Sequence, residues 1–201
     1  MLDKYVLEHS HQIQEKIARR FIKAGVGANQ ITIAGFIIGM SVIPLLAMKL
    51  YLPALIVILL NRLFDGLDGT VARLTKTTDR GAFLDIVLDF LFYSAVPLGF
   101  ALAEPSQNAL PAAVLIYSFI GTGCSFLAFA IMAEKRKLKS LDYPKKGFYY
   151  LGGLTEATET IMVFTAMCLF PSAFAIFAYG FASLCLVSTI LRIFAGWRIF
   201  K

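Results

Sequence analysis

Between positions 65 and 89 the chain reads Asp65-Gly66-Leu67-Asp68-Gly69-Thr70-Val71-Ala72-Arg73, a short polar stretch from Leu74 to Arg80, then Gly81-Ala82-Phe83-Leu84-Asp85-Ile86-Val87-Leu88-Asp89. Five of the chain's seven aspartates fall within these 25 positions, four of them in the two flanking stretches and Asp79 in the polar one between. On an α-helix, positions 65, 68, 69, 72 and 73 follow the i, i+3, i+4, i+7, i+8 pattern and lie within an arc of about 140°. One stripe then carries two carboxylates, two very small residues and a guanidinium. Gly81, Asp85 and Asp89, at i, i+4 and i+8, make a second stripe on the next helix. The connection between them is too short to keep the stripes apart, so they can face one cavity.

Four like charges in a partly dry cavity repel one another unless cations compensate them. Oxygen-only ligands favour hard ions, Mg²⁺ or Mn²⁺, over zinc or copper. Two divalent ions would offset four carboxylates, and such ions characteristically hold phosphates and stabilise charge on a leaving group. Small residues at Gly69, Ala72 and Gly81 would leave ligand space open, and Arg73 could clamp a phosphate with two parallel hydrogen bonds. Asp79 reads as a solvated loop residue. Capping and helix packing could account for any one of these positions singly, but packing has no need of four aspartates on converging stripes.

The elements that carry these stripes are apolar. Of 201 residues, 58% are hydrophobic and 16% charged, with a mean hydropathy of +0.73. That places the chain in the membrane class and excludes disorder and collagen-like structure. A coiled coil is excluded by the scarcity of Glu and Lys and by long apolar blocks, and the net charge of +6 reads as membrane-surface charge rather than a nucleic-acid face. Six blocks approach the roughly 20 residues that a bilayer span requires: Ile31 to Leu50, Leu52 to Arg73, Gly81 to Ala103, Asn108 to Ala133, Phe148 to Phe170 and Ser172 to Trp197. With short connections, 18 of the 19 Lys and Arg residues fall on one side and only Lys49 on the other. The positive-inside tendency then puts both termini and the aspartate loop in the cytoplasm.

Ahead of the first span, Leu2, Val6, Ile13, Ile17 and Phe21 recur at helical steps, while Lys16, Arg19, Arg20 and Lys23 gather near the end of the segment. This is an amphipathic helix, lying either on an anionic leaflet or against the protein's own cytoplasmic face. The expected fold is an all-α membrane protein of six transmembrane helices with an N-terminal amphipathic interfacial helix: residues 1–30 form that juxtamembrane helix and linker, and 31–201 the transmembrane catalytic domain. No cleavable signal peptide is expected. His9 and His11 have no further ligand type nearby. Gly35 and Gly39 make a GxxxG suited to close helix packing. Cys124, Cys168 and Cys185 lie in apolar blocks without metal-site spacing and read as buried thiols.

Asp65-x-x-Asp68-Gly69-x-x-Ala72-Arg73, followed after seven residues by Gly81-x-x-x-Asp85-x-x-x-Asp89, resembles the signature of the CDP-alcohol phosphotransferase family of integral membrane enzymes. The signature covers about an eighth of the chain, and its eight fixed residues are all present; the six-span layout and the N-terminal helix are also similar to that family's. The resemblance implies transfer of a phosphoalcohol group from a CDP-linked donor to an acceptor hydroxyl, with release of CMP, in phospholipid biosynthesis. It makes Asp65, Asp68 and Asp85 metal ligands, with Asp89 completing a two-metal site and acting as the base. It gives Asp68, Gly69, Ala72, Arg73 and Gly81 to the CDP moiety, and it suggests a homodimer in the membrane.

A donor whose lipid arm lies between helices and whose nucleotide stays in the cytosol favours CDP-diacylglycerol. For the acceptor, a small polar alcohol such as serine, glycerol phosphate or inositol phosphate, Glu156 and Glu159 at i, i+3 are placed two to three turns into span five, where they could hydrogen-bond a polyol or amine or be satisfied by Thr hydroxyls. Arg192, late in span six, is an anion-binding candidate. The basic run from Lys135 to Lys146 is accounted for by topology and anionic lipid alone. Two other functions use membrane carboxylates. An intramembrane prenyltransferase would call for more spans and another aspartate spacing. A cation transporter would place acids at mid-bilayer within inverted repeats.

Overall fold

The computed structural model describes residues 14–137 and 155–200, and every regular element among them is helical. Helix α1 covers residues 14–23. It is followed by α2 (Ala28–Met40), α3 (Val42–Ala47), α4 (Tyr51–Leu74), α5 (Asp79–Ala103), α6 (Pro105–Lys135), α7 (Ala157–Leu169), a 3₁₀ turn at Pro171–Ala173 and α8 (Phe174–Ile199).

The first expected span is two helices in line, broken at Ser41. Pro44 is the cause: it has no N–H for the carbonyl of Met40, and its ring crowds that carbonyl. The hydroxyl of Ser41 donates instead to the Ile38 carbonyl at 2.6 Å. The second begins and ends within one residue of expectation. The third begins two residues early, because Thr78 caps α5 by accepting from the Gly81 amide at 3.1 Å. Asp79 and Arg80 are therefore helical, and Asp79 is an exposed first-turn acid favoured by the helix dipole rather than a loop residue.

Among the described residues, four stretches are long and apolar enough to cross a membrane: Ala28–Ala47, Asp79–Ala103, Pro105–Lys135 and Pro171–Ile199. Helix α4 has the length, 24 residues, but its second half carries Asn61, Arg62, Asp65, Asp68 and Arg73. Helix α7 is apolar but only 13 residues long, about 20 Å at the α-helical rise. The expected start of that span, Phe148, lies outside the described residues, as do His9, His11, the first three apolar positions of the N-terminal helix, and Lys139 to Lys146.

The helices close a ring in which α2 packs on α4, α4 on α7, α7 on α8, α8 on α6, α6 on α5 and α5 back on α2. At Gly35 an added Cβ would stand 2.5 Å from Cβ of Phe64, and at Gly39 it would stand 2.7 Å from Nδ2 of Asn61, so the GxxxG is a packing seam between α2 and α4. One end of the ring is filled by fully buried Phe92, Phe100, Phe164 and Phe174. Phe100 and Phe174 stack at 4.5 Å. Beyond them Lys49, whose φ is +60°, pairs with Glu104 at 2.6 Å, and this partner holds the exposed ammonium's pKa above its usual value.

Helix α1 packs on the molecule itself: Ala18 is fully buried with Ile31, Leu67 and Val71, and Ile17, Phe21 and Ile22 flank them. Lys16, Arg19, Arg20 and Lys23 are exposed on its other face. Of the cysteines, Cys168 and Cys185 are buried but Cys124 is exposed. It lies on the outward face of α6, where the bilayer supplies the apolar surroundings that a core would otherwise provide.

Candidate active site

At the end of the ring opposite the phenylalanines, α4, α5, α6, α7 and α8 enclose a cavity of about 420 Å³. The i, i+3 spacing of α4 and the i, i+4 spacing of α5 bring Asp65, Asp68, Asp85 and Asp89 to it. One carboxylate oxygen from each of Asp65, Asp68 and Asp85 lies within 4.8 Å of the others. Asp89 lines the same cavity one turn deeper along α5. Asp68 is 5% exposed, and its Oδ2 is buried without a hydrogen-bond partner among the described residues. A buried carboxylate oxygen left without a donor is costly. An oxygen so placed, beside two further carboxylates, fits a divalent cation as the missing partner, and the all-oxygen donor set fits Mg²⁺ or Mn²⁺.

Three arginines surround the acids. Arg62, three residues before Asp65, forms an ion pair with it. Arg73 lies at the exposed mouth, with Nη2 donating to the Thr70 hydroxyl at 2.9 Å. Arg192, 8% exposed on α8, donates through Nη1 to the Thr122 carbonyl at 2.9 Å and to the Ser125 hydroxyl at 3.0 Å, and its guanidinium sits 5.7 Å from the Phe126 ring centre. The lining carries Asp65, Asp68, Asp85, Asp89 and Glu156 against Arg62, Arg73 and Arg192. That is a formal charge of two negatives, held among walls that include Phe90, Tyr93, Phe119 and Phe126.

Of the expected nucleotide residues, Asp68, Gly69 and Arg73 line the cavity, whereas Ala72 and Gly81 are not among its lining residues. The Gly81 amide is spent on the Thr78 cap, and a Cβ there would meet Oδ1 of Asn29 at 3.0 Å, so its smallness serves the approach of α2. Glu156 and Arg192 reach the cavity, but Glu159 does not line it. The two glutamates are not two to three turns into a helix. Glu156 is the residue before α7, and Glu159 in its first turn accepts from the Glu156 amide at 3.2 Å. Glu-Ala-Thr-Glu is a helix-start pattern in which the acid at N3 reaches back to the cap. Beyond the expected residues, Arg62, Thr122 and Phe126 line the cavity and Ser125 holds Arg192. Arg62 could have been found from its i, i+3 relation to Asp65, and the others from the polar break Gly121-Thr122-Gly123-Cys124-Ser125 inside an apolar span.

The profile of the family described as CDP-alcohol phosphatidyltransferase matches residues 26–194. The chain belongs to this family. As a CDP-alcohol phosphatidyltransferase it is an enzyme, which rules against the transporter, and it is a multi-pass membrane protein. It is 50% identical over 201 residues to the inner membrane protein YnjF of Escherichia coli K12, covering 100% of this chain and 98% of that one. It is 31% identical over 189 residues to the bifunctional IPC transferase and DIPP synthase of Aquifex aeolicus, a match spanning 85% of this chain and 39% of the longer protein. Its fold is that of Mycobacterium tuberculosis phosphatidylinositol phosphate synthase. The structure of that protein with manganese and citrate superposes with a TM-score of 0.74 at 22% identity, covering 92% of this chain and 88% of that one. Its structure with CDP-DAG bound gives 0.69, over 92% and 94%.

Proposed function

We propose that the protein transfers a phosphatidyl group from CDP-diacylglycerol to the hydroxyl of a small polar alcohol and releases CMP, as a step of phospholipid biosynthesis at the cytoplasmic face of the membrane. The observation that carries this reading is the meeting of the Asp65, Asp68 and Asp85 carboxylates within 4.8 Å, with a buried oxygen of Asp68 left without a donor among the described residues. Charge supports it as well. The lining is two negatives in deficit of neutrality, the diphosphate of the donor adds two more, and two divalent cations would balance both.

Asp65, Asp68, Asp85 and Asp89 would hold two ions, Mg²⁺ or Mn²⁺. When bound, these supply electrostatic stabilisation of the charge that develops on the diphosphate. Arg73 at the mouth binds the nucleotide phosphates, and Gly69 leaves room for them beside Asp68. The roles assigned to Ala72 and Gly81 reduce to letting neighbouring segments approach. Asp89, on the helix opposite the nucleotide stripe, accepts the proton of the acceptor hydroxyl as it attacks. Glu156 and Arg192, on the far wall, bind the acceptor. Glu159 acts by holding the Glu156 backbone, so its share in the acceptor site is one of position.

The same reading completes α4 and α7 to six spans, treats residues 31–201 as the catalytic domain and puts the basic outer face of α1 on anionic lipid. Both termini are cytoplasmic, and the assembly is a homodimer. Purified protein supplied with CDP-diacylglycerol, Mg²⁺ and a panel comprising serine, glycerol phosphate, inositol phosphate and related alcohols should release CMP with one class of acceptor. Absence of CMP release across the whole panel, in protein that still binds Mn²⁺ and CDP, would refute the assigned substrates.

A further inference from the structure

Thr70 occupies a variable position of the signature, is 3% exposed and is not among the residues that line the cavity. Its hydroxyl nonetheless bonds in both senses. It donates to the Gly66 carbonyl at 2.8 Å and accepts from Nη2 of Arg73 at 2.9 Å. A threonine hydroxyl has one hydrogen, and both acceptors within its reach, the Gly66 carbonyl at 2.8 Å and Oε1 of Gln14 at 3.5 Å, draw it away from the arginine, which leaves a lone pair for Nη2. The amide of Gln14 in α1 lies 3.5 Å from the same hydroxyl, and its Nε2 would be 2.9 Å from a Cβ added at Gly66. The hydroxyl is therefore fixed by its own helix on one side and covered by α1 on the other.

Arg73 is exposed at the cavity mouth, where a guanidinium on a free stem samples many rotamers. The bond to Thr70 takes Nη2 and turns Nη1 over Gly69, where a Cβ would stand 3.3 Å from it. Arg73 so held lines the same cavity as the aspartates. We infer that Thr70 is a positioning residue that preorganises Arg73 for the diphosphate of the nucleotide, with α1 closing the back of the contact. The inference rests on the role given to Arg73 above. Its chemistry is that of a held charge-assisted donor: an anion that meets a guanidinium already in place does not have to order it.

The test is calorimetric titration of CDP with Mg²⁺ into the purified full chain in detergent, which needs no acceptor. Thr70→Val keeps the β-branched shape and removes the hydroxyl, and it should weaken CDP binding about tenfold, the scale of one charge-assisted hydrogen bond. Thr70→Ser should bind within about twofold of the unsubstituted chain, since it restores the lone pair. In an Arg73→Ala background Thr70→Val should cost less than about twofold more, because a residue acting only through Arg73 has nothing left to act on. Unchanged binding by Thr70→Val, or an equal loss in the Arg73→Ala background, overturns the inference. Thr70→Ala serves as the second variant, and if it and Thr70→Val both fail to fold, Thr70 belongs to the fold and the inference is again overturned. Unchanged CDP affinity in Arg73→Ala alone would instead refute the assignment of Arg73, and this inference with it.

Discussion

Helices α4 and α5 each pass from one kind of surroundings to another. At one end Ala54 and Ile58 of α4 and Phe92, Val96 and Phe100 of α5 are buried in an apolar cluster shared with Leu115, Phe164 and Phe174. At the other end the same two helices carry Asp65, Asp68, Asp85 and Asp89 to the wall of a cavity. The first region is held by shape, with rings in contact and no room to spare. The second is held open, because its facing groups are like charges that nothing among the described residues neutralises completely. The packed end fixes where the helices stand, and the open end uses that placement. Stability and chemistry are thus divided along the length of two helices rather than between domains.

The division can be broken at the open end first. Asp89→Asn should lower CMP release about a thousandfold, the range of a lost general base, while the unfolding midpoint in detergent stays the same or rises as one like charge is removed. A variant that loses activity and unfolds together would show that the acids also support the fold. Stripping divalent ions with EDTA should abolish release in the unsubstituted enzyme, and Mn²⁺ should restore it. Truncation at the packed end should do the reverse: Phe100→Ala or Phe164→Ala leaves a cavity worth about 3–5 kcal/mol, read as loss of folded protein with normal turnover per surviving molecule. Between the two ends, Gly35→Val should cost about 1–3 kcal/mol by overpacking the seam against Phe64, checked by thermal unfolding. A drop in metal affinity in the same variant would show how far the seam sets the aspartates. The smallest effect is expected beyond the phenylalanines. The Lys49–Glu104 pair is exposed, so Lys49→Met should leave the midpoint unchanged within error. If a difference exists, it should be present at neutral pH and fade as pH rises through the raised pKa of Lys49.

The acceptor wall is the part of the site least legible in the sequence. Glu156 and Glu159 have the spacing of a shared helical face, and the expected apolar block begins well before them, at Phe148. Their real relation is a helix start, decided by where α7 begins. Arg192 looked like a lone charge near the end of a span, and only the pairing of α8 with α6 reveals Thr122, Ser125 and Phe126 as its neighbours. Cys124 is exposed rather than buried for a related reason. Apolar sequence context does not distinguish a residue facing the core from one facing lipid, since both surroundings are apolar.

The sequence by itself determined the membrane class, the helical class and the four aspartates, because composition, apolar block length and period 3.6 are local properties that need no knowledge of neighbours. Even the GxxxG seam could be assigned to packing from its spacing. Only the tertiary structure decided that α2 holds α4 and α5 so that three of their carboxylates come within reach of one ion, that Ala72 and Gly81 fall outside the cavity, and that α8 returns Arg192 to it. Those are relations between segments distant in the chain, set by how rings and small residues pack at the other end of the bundle.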